Sequence, residues 1–254
     1  MKLHYKILGE GEPLIIIHGL FGMLDNWQTL AKIWAKDYQV ILVDLRNHGH
    51  SPWDDQHNYD LMMADLEELT DDLFLDEVHI IGHSMGGKLA MKFAQRFPQL
   101  MRKLIVADIG PKKYPVHHQQ ILDGLNSVPI QEVKSRQEVK SYLAKYINED
   151  STIQFFLKNL YWKEKGVLDW RFNLKSLTAN IQFVGEEMLN DTFTNETLFI
   201  RGGSSHYILE SDWPAIVQAF PKAELATIPN AGHWLHAENP SLFYELVNTF
   251  LKAE

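Results

Sequence analysis

The chain has 254 residues, 45% of them apolar and 22% charged, with no cysteine and a formal net charge of −9. Those values describe one large folded domain, or a domain carrying one sizeable insertion, and exclude wholesale disorder. They also exclude a disulfide framework, a thiol nucleophile, an iron–sulfur cluster and a Cys-based zinc site, and the acidic balance argues against nucleic acid or an anionic membrane as partner.

No apolar run approaches the ~18 residues a membrane span needs, and Met1–Gly9 alternates polar and apolar residues instead of showing a basic head and an apolar core. A cytoplasmic location is the default expectation. Composition does not speak to oligomeric state.

In chain order, an antiparallel opening strand is predicted over Leu3–Leu8, followed by short, β-branched, continuously apolar runs at Leu14–Ile17, Val40–Val43, Val78–Ile81, Leu104–Ala107, Leu198–Ile200 and Leu225–Ile228. Runs of this kind read as strands covered on both faces, which implies a parallel sheet. Helical stripes lie between them: Met62, Leu66, Leu69 and Leu73, then Leu89, Phe93, Ala94 and Phe97. A last helix starts at Pro240 with Asn239 as N-cap and carries Leu242, Leu246 and Phe250. The predicted class is α/β, with a mostly parallel central sheet and flanking helices.

The alternation breaks between Gly110 and Asn195, where no strand pattern is seen and Ser135–Glu138 has capping-box spacing ahead of Val139, Leu143 and Ile147. Further helices are expected around Ile153–Leu160 and Leu174–Ile181. Residues 111–195 therefore read as a helical insertion, and 1–110 with 196–254 as the core. The insertion carries 11 Lys+Arg against 10 Asp+Glu, so the acidity resides in the core.

Gly82-His83-Ser84-Met85-Gly86 follows a buried strand and precedes a helical stripe. In that context G-x-S-x-G forms a nucleophile elbow, a turn so sharp that only small residues fit beside the serine. The same stretch, Gly82 to Gly87-Lys88, approaches a phosphate-binding P-loop, but Leu89 stands where that loop needs Ser or Thr for magnesium. A serine needs a histidine base and an orienting acid. His233, behind Gly232 and just after the last strand, is the candidate base; His236, three residues on, is expected to be replaceable. The elbow supplies one oxyanion donor, the N–H of Met85, and the turn His18-Gly19-Leu20-Phe21-Gly22 a second, the N–H of Leu20. The remaining histidines lack metal-site spacing, so neither a metal nor a cofactor is expected.

His18-Gly19-x-x-Gly22, Asp44–Ser51, Gly82–Gly87 and Gly232-His233 together resemble the α/β-hydrolase superfamily from end to end. Within it, Phe21-Gly22, Arg46-Asn47-His48-Gly49 and Val106–Pro111 are most similar to small bacterial carboxylesterases of the YbfF type. The resemblance implies an α/β-hydrolase fold and a Ser-His-Asp triad that cleaves esters or thioesters of small acyl substrates through an acyl-enzyme. A C–C bond hydrolase on the same triad, or a low-turnover ligand receptor of this fold, are the alternatives. It also implies structural roles for Arg46 and His48 in the loop beside the site. Many relatives place the acid after the penultimate strand, where this chain has Ser205. The acid is instead expected at Asp108, which ends the strand after the elbow helix, with Asp212 and Glu210 as weaker candidates.

An insertion after the acid-bearing strand would hang over the site as a lid. It is aromatic, with Phe155, Phe156, Tyr161, Trp162, Trp170 and Phe172, of which a minority should line the pocket. His18, Phe21, Trp162 and Trp234 are the expected substrate contacts. Lys112, Lys113, Lys134, Arg136 and Lys140 could favour an anionic substrate such as a coenzyme A thioester, but solvated helix charge is the reading preferred for them.

Overall fold

The computed structural model describes residues 1–116, 118–188 and 191–253. Its strands are β1 (His4–Leu8), β2 (Glu12–Ile17), β3 (Tyr38–Asp44), β4 (Val78–His83), β5 (Met101–Ala107), β6 (Leu160–Glu164), β7 (Val167–Trp170), β8 (Thr197–Gly202) and β9 (Ala223–Ile228). The helices are α1 (Gln28–Trp34), α2 (Tyr59–Asp72), α3 (Met85–Arg96), α4 (Gln119–Asn126), α5 (Arg136–Leu143), α6 (Asp150–Lys158), α7 (Leu174–Ala179), α8 (Ile181–Val184), α9 (Trp213–Ala219), α10 (Leu235–Glu238) and α11 (Pro240–Lys252). Among the described residues no helix is long and apolar enough to cross a membrane.

Seven strands form one sheet in the order β1-β3-β2-β4-β5-β8-β9, with β1 antiparallel to β3 and every other pairing parallel. Each predicted apolar run lies in one of these strands. Successive side chains point to opposite faces, so Ile15, Ile17, Ile41, Val43, Ile80 and Val106 pack into one core layer. Leu14, Ile16, Val40, Leu42, Ile81 and Ile105 pack into the other. Because both layers are covered by helices, the strands read as unbroken apolar runs instead of alternating ones.

Parallel connections bring the ends of β2, β4, β5, β8 and β9 to one edge of the sheet, which is where open α/β sheets bind ligands. The segment 111–195 leaves from that edge after β5 and returns to β8. It holds α4 to α8 and a third apolar cluster, which Phe21 of the core enters, its ring 5.6 Å from Phe156 and 5.0 Å from Phe172. The segment is not wholly helical: β6 and β7 form an antiparallel hairpin closed by Gly166 at φ 82°. Its strands escape the sequence pattern because in β6 only Leu160 is buried, so no alternation marks it.

The two roots of this segment are laced together. The N–H of Tyr114 donates to Gly185 O at 2.8 Å and that of Met188 to Pro111 O at 2.7 Å. Lys88, buried on α3, donates from Nζ to Lys112 O at 2.7 Å and to Glu186 O at 2.5 Å. Burial pulls its ammonium down to about 7 against the opposing pull of Glu187 and Glu186. The lysine of the P-loop-like stretch is thus committed to holding chain, with two of its donors given to carbonyls.

Candidate active site

Ser84 sits at φ 53° and ψ −121°, a strained conformation for a non-glycine residue, between the end of β4 and the first turn of α3. Its flanking glycines are forced by contact: a Cβ on Gly82 would lie 2.3 Å from Gly86 O, and one on Gly86 2.5 Å from His18 O. This is the sharp turn that G-x-S-x-G predicts, and it lifts the hydroxyl clear of the sheet edge.

Ser84 Oγ lies 3.0 Å from His233 Nε2, and His233 Nδ1 lies 2.8 Å from Asp108 Oδ2. The Asp108 carboxylate is fully buried. Its Oδ1 accepts the N–H of Gly202 at 3.0 Å, and its Oδ2 also accepts the Ser205 hydroxyl at 2.5 Å. Buried carboxylate needs such donors to offset desolvation. Asp108 itself is held at φ 49° by its N–H bond to Ile200 O at 2.8 Å. The two weaker acid candidates lie elsewhere: Asp212 pairs with Lys112 at 2.5 Å and accepts the N–H of Leu209, while Glu210 is exposed near Arg201.

The imidazole of His233 is held on further sides. Tyr207 stacks on it at 4.0 Å and 18°, and His83 Nε2 donates to the His233 carbonyl at 2.8 Å. Tyr114 Oη accepts from the N–H of Gly110 and donates to Tyr207 O at 2.6 Å, tying the loop after Asp108 to the stacked ring. Sequence reasoning missed Tyr207, and it noticed Ser205 only as a missing aspartate. The signal for Ser205 was its position, since a hydroxyl beside a carboxylate is legible as a donor only once the two loops are brought together.

In the turn after β2, the N–H of Phe21 donates to His48 Nε2 at 3.1 Å and that of Gly22 to Gly19 O at 2.9 Å. The Leu20 N–H makes no hydrogen bond among the described residues. Met85 opens α3, where the first N–H groups have no partner within the helix. His18 Nε2 accepts from the N–H of Leu45 at 3.1 Å, and His48 Nδ1 donates to Arg46 O at 2.9 Å. Burial holds His18 below, and His48 well below, the ordinary imidazole range, so both serve as neutral braces of the turn. Arg46 forms a bidentate pair with Asp65, and Asn47 Oδ1 accepts from Asn173 Nδ2 at 3.0 Å, joining this loop to the insertion.

A cavity of about 660 Å³ opens over Ser84 between the sheet edge and the insertion. His18, Leu20, Phe21 and Trp234 border it, as do Phe155 and Phe156. Trp162 does not: it lies on β6 and is 54% exposed, because the unforeseen hairpin turns it to solvent. Tyr161, Trp170 and Phe172 are also absent from the lining. His236 proves to be more than a bystander. It borders the cavity, stacks on Trp27 at 4.2 Å and 7°, and burial drives its imidazole down to about 3.

Comparison with known proteins bears on the fold and the family. The sequence profile of the alpha/beta hydrolase fold matches residues 12–129. The chain is 36% identical to esterase YbfF of Escherichia coli, over 95% of this chain and 94% of that one. The chain belongs to the α/β-hydrolase family. Within the family it is also 36% identical to the sn-1-specific diacylglycerol lipase ABHD11 of Danio rerio, over 96% of this chain and 80% of the relative. A solved structure described as a marine microorganism esterase superposes with a TM-score of 0.96 at 41% identity, covering 98% of this chain and 99% of that one. This α/β-hydrolase therefore stands among esterases and lipases.

Proposed function

We propose that the protein hydrolyses carboxylic esters of small acyl substrates, and thioesters by the same chemistry, through an acyl-enzyme on Ser84. The observation that carries this reading is the chain of contacts from Ser84 Oγ to His233 Nε2 at 3.0 Å and from His233 Nδ1 to Asp108 at 2.8 Å. Asp108 keeps a proton on Nδ1, which leaves the Nε2 lone pair facing the hydroxyl. As Ser84 Oγ bonds to the substrate carbonyl carbon, its proton passes to His233 Nε2. The carbonyl oxygen becomes an oxyanion, received by the N–H groups of Leu20 and Met85. The proton then goes to the departing alkoxide or thiolate, and water repeats the sequence to release the acid.

Residues 111–195 act here as the lid that forms the far wall of the cavity. Among the described lining residues there is no Lys or Arg. Lys112 is paired with Asp212 and Lys140 with Asp150, which favours uncharged small molecules over anionic ones. A fluorophosphonate probe followed by mass spectrometry should label Ser84. Ser84→Ala should abolish labelling and lower turnover by roughly 10⁶ while leaving thermal stability intact. A variant that kept a tenth of wild-type activity would place the nucleophile elsewhere.

A further inference from the structure

Ser84 stands between two unequal spaces. The large cavity of about 660 Å³ is bordered by His233, His83 and Trp234. Ser84 also borders a cleft of about 20 Å³, floored by Met85, Ile109, Tyr114, Ile181, Val184 and Tyr207 and rimmed by the loop residues Pro115, Val116, His118 and Gly185. A buried water occupies about 10–15 Å³ on such a measure, so the cleft takes little more than a methyl-sized group. Ser84, His118 and Tyr207 border both spaces, whereas His233 borders only the large one.

The stereochemistry of acyl transfer assigns the two. The departing oxygen must take its proton from His233 Nε2, so the alcohol lies on the imidazole side. The carbonyl oxygen faces the Leu20 and Met85 N–H groups. The remaining substituent, the acyl carbon chain, points away from the imidazole past Met85. Resting on the hydrolase reading above, we propose that the acyl group occupies the small cleft and the alcohol the large cavity, so that the enzyme acts on short-acid esters, acetates above all, of bulky uncharged alcohols.

The floor of the cleft is not built to dilate. Met85 and Ile109 belong to the packed layer under the sheet. The carbonyl of Val184 accepts the buried Tyr59 hydroxyl at 2.8 Å, and Tyr114 is held through its own hydroxyl at Gly110 and Tyr207. A longer acyl chain has to displace these atoms, which a close-packed interior resists. The large cavity, in contrast, is walled by Phe155, Phe156 and Ile121 of the insertion and by Trp234, with Phe155 and Trp234 in ring contact at 5.5 Å.

Hexyl acetate and ethyl hexanoate are isomers that differ only in which side of the ester bears the long chain, so their relative kcat/KM reads the orientation directly. The acetate should be preferred by about tenfold to a hundredfold, the discrimination that ill-fitting methylenes produce. Val184→Ala, which enlarges the cleft, should narrow that ratio by raising turnover of ethyl hexanoate. A ratio at or below one, or a ratio that Val184→Ala leaves unchanged, overturns the assignment while leaving the hydrolase reading standing. Failure of both esters to turn over would sink that reading and this inference with it.

Discussion

The sheet core and the segment 111–195 are built on different scales. In the core, residues distant in sequence are locked by ladder pairing, as where Ile16 is registered against both Leu42 and Ile81, and the central strands are buried on both faces. In the insertion, helices of four to nine residues and a short hairpin pack locally. Their attachments to the core include Phe21 in the third apolar cluster, Asn173 on Asn47, the Tyr59 hydroxyl on Val184 O, Lys88 across both roots, and Val184 and Met188 in the main core cluster. Ser84, Asp108 and His233 all sit on core loops, where φ values of 53° and 49° can be enforced by the packed strands beneath. The insertion supplies walls. Such a division lets one region fix reacting atoms within a few tenths of an ångström while the other sets what fits beside them.

If the core carries the chemistry, the largest effects belong there. Asp108→Asn should lower turnover on the order of 10⁴, because the amide presents the wrong tautomer of His233 to Ser84. Asp212→Asn, which breaks only the Lys112 pair, should lower it little. Steady-state kinetics of the two variants decide between them. Ser205→Ala removes one charge-assisted donor to Asp108 and should cost about tenfold to a hundredfold in kcat, with KM little changed. Ser205→Thr, which keeps the hydroxyl, should restore most of it.

A cavity substitution should behave differently. Phe155→Ala, opposite Trp234, should raise KM for bulky-alcohol esters about three- to tenfold through lost apolar contact and leave kcat near wild type. An equal fall in kcat would mean that the insertion takes part in the chemistry.

A separate effect, on stability and not on turnover, concerns the core in acid. Burial lowers His236 to about 3 and His57 to about 4, and it holds His48 and His83 well below the ordinary range. Between those values and about 6.5 the unfolded chain binds protons that the folded chain does not, so stability is complete above about pH 6.5 and falls as pH drops. By about pH 5 the His236 and His57 rings should each cost about 1–2 kcal/mol. Denaturant midpoints measured from pH 7.5 to 5 (a range set around the ~6.5 of free imidazole) should fall steadily, and His236→Gln should flatten the slope. The stack on Trp27 and the burial of His236 mean that this variant also starts from a lower stability at neutral pH.

The contrast between the regions also governs what the sequence reveals. Strands covered on both faces leave unbroken apolar runs, so all six core runs and the elbow at Ser84 were legible in order. Asp108, which lies 2.8 Å from His233 Nδ1, stood out because it ends such a run. In the insertion, the Ser135 cap is readable, and Ser135 Oγ does accept the N–H of Glu138 at 3.2 Å. The hairpin was not legible, because β6 is largely solvent-facing and leaves no pattern, and the assignment of Trp162 to the cavity failed with it. The stack of Tyr207 on His233 depends on the docking of loops distant in sequence, which no local pattern encodes. Ser205 shows both sides: its position flagged a departure from the commoner arrangement, but its bond to Asp108 appears only when β5 and β8 are set side by side.

The most direct test of the account is the proton on His233. In enzyme carrying nitrogen-15 histidine, proton NMR should show a downfield ring resonance coupled to Nδ1 of His233, as a donor to the buried Asp108 carboxylate requires. It should be lost from Nδ1 in Asp108→Asn and retained in Asp212→Asn. A resonance that survives in Asp108→Asn and disappears in Asp212→Asn would contradict the account, since the orienting carboxylate would then lie after the penultimate strand.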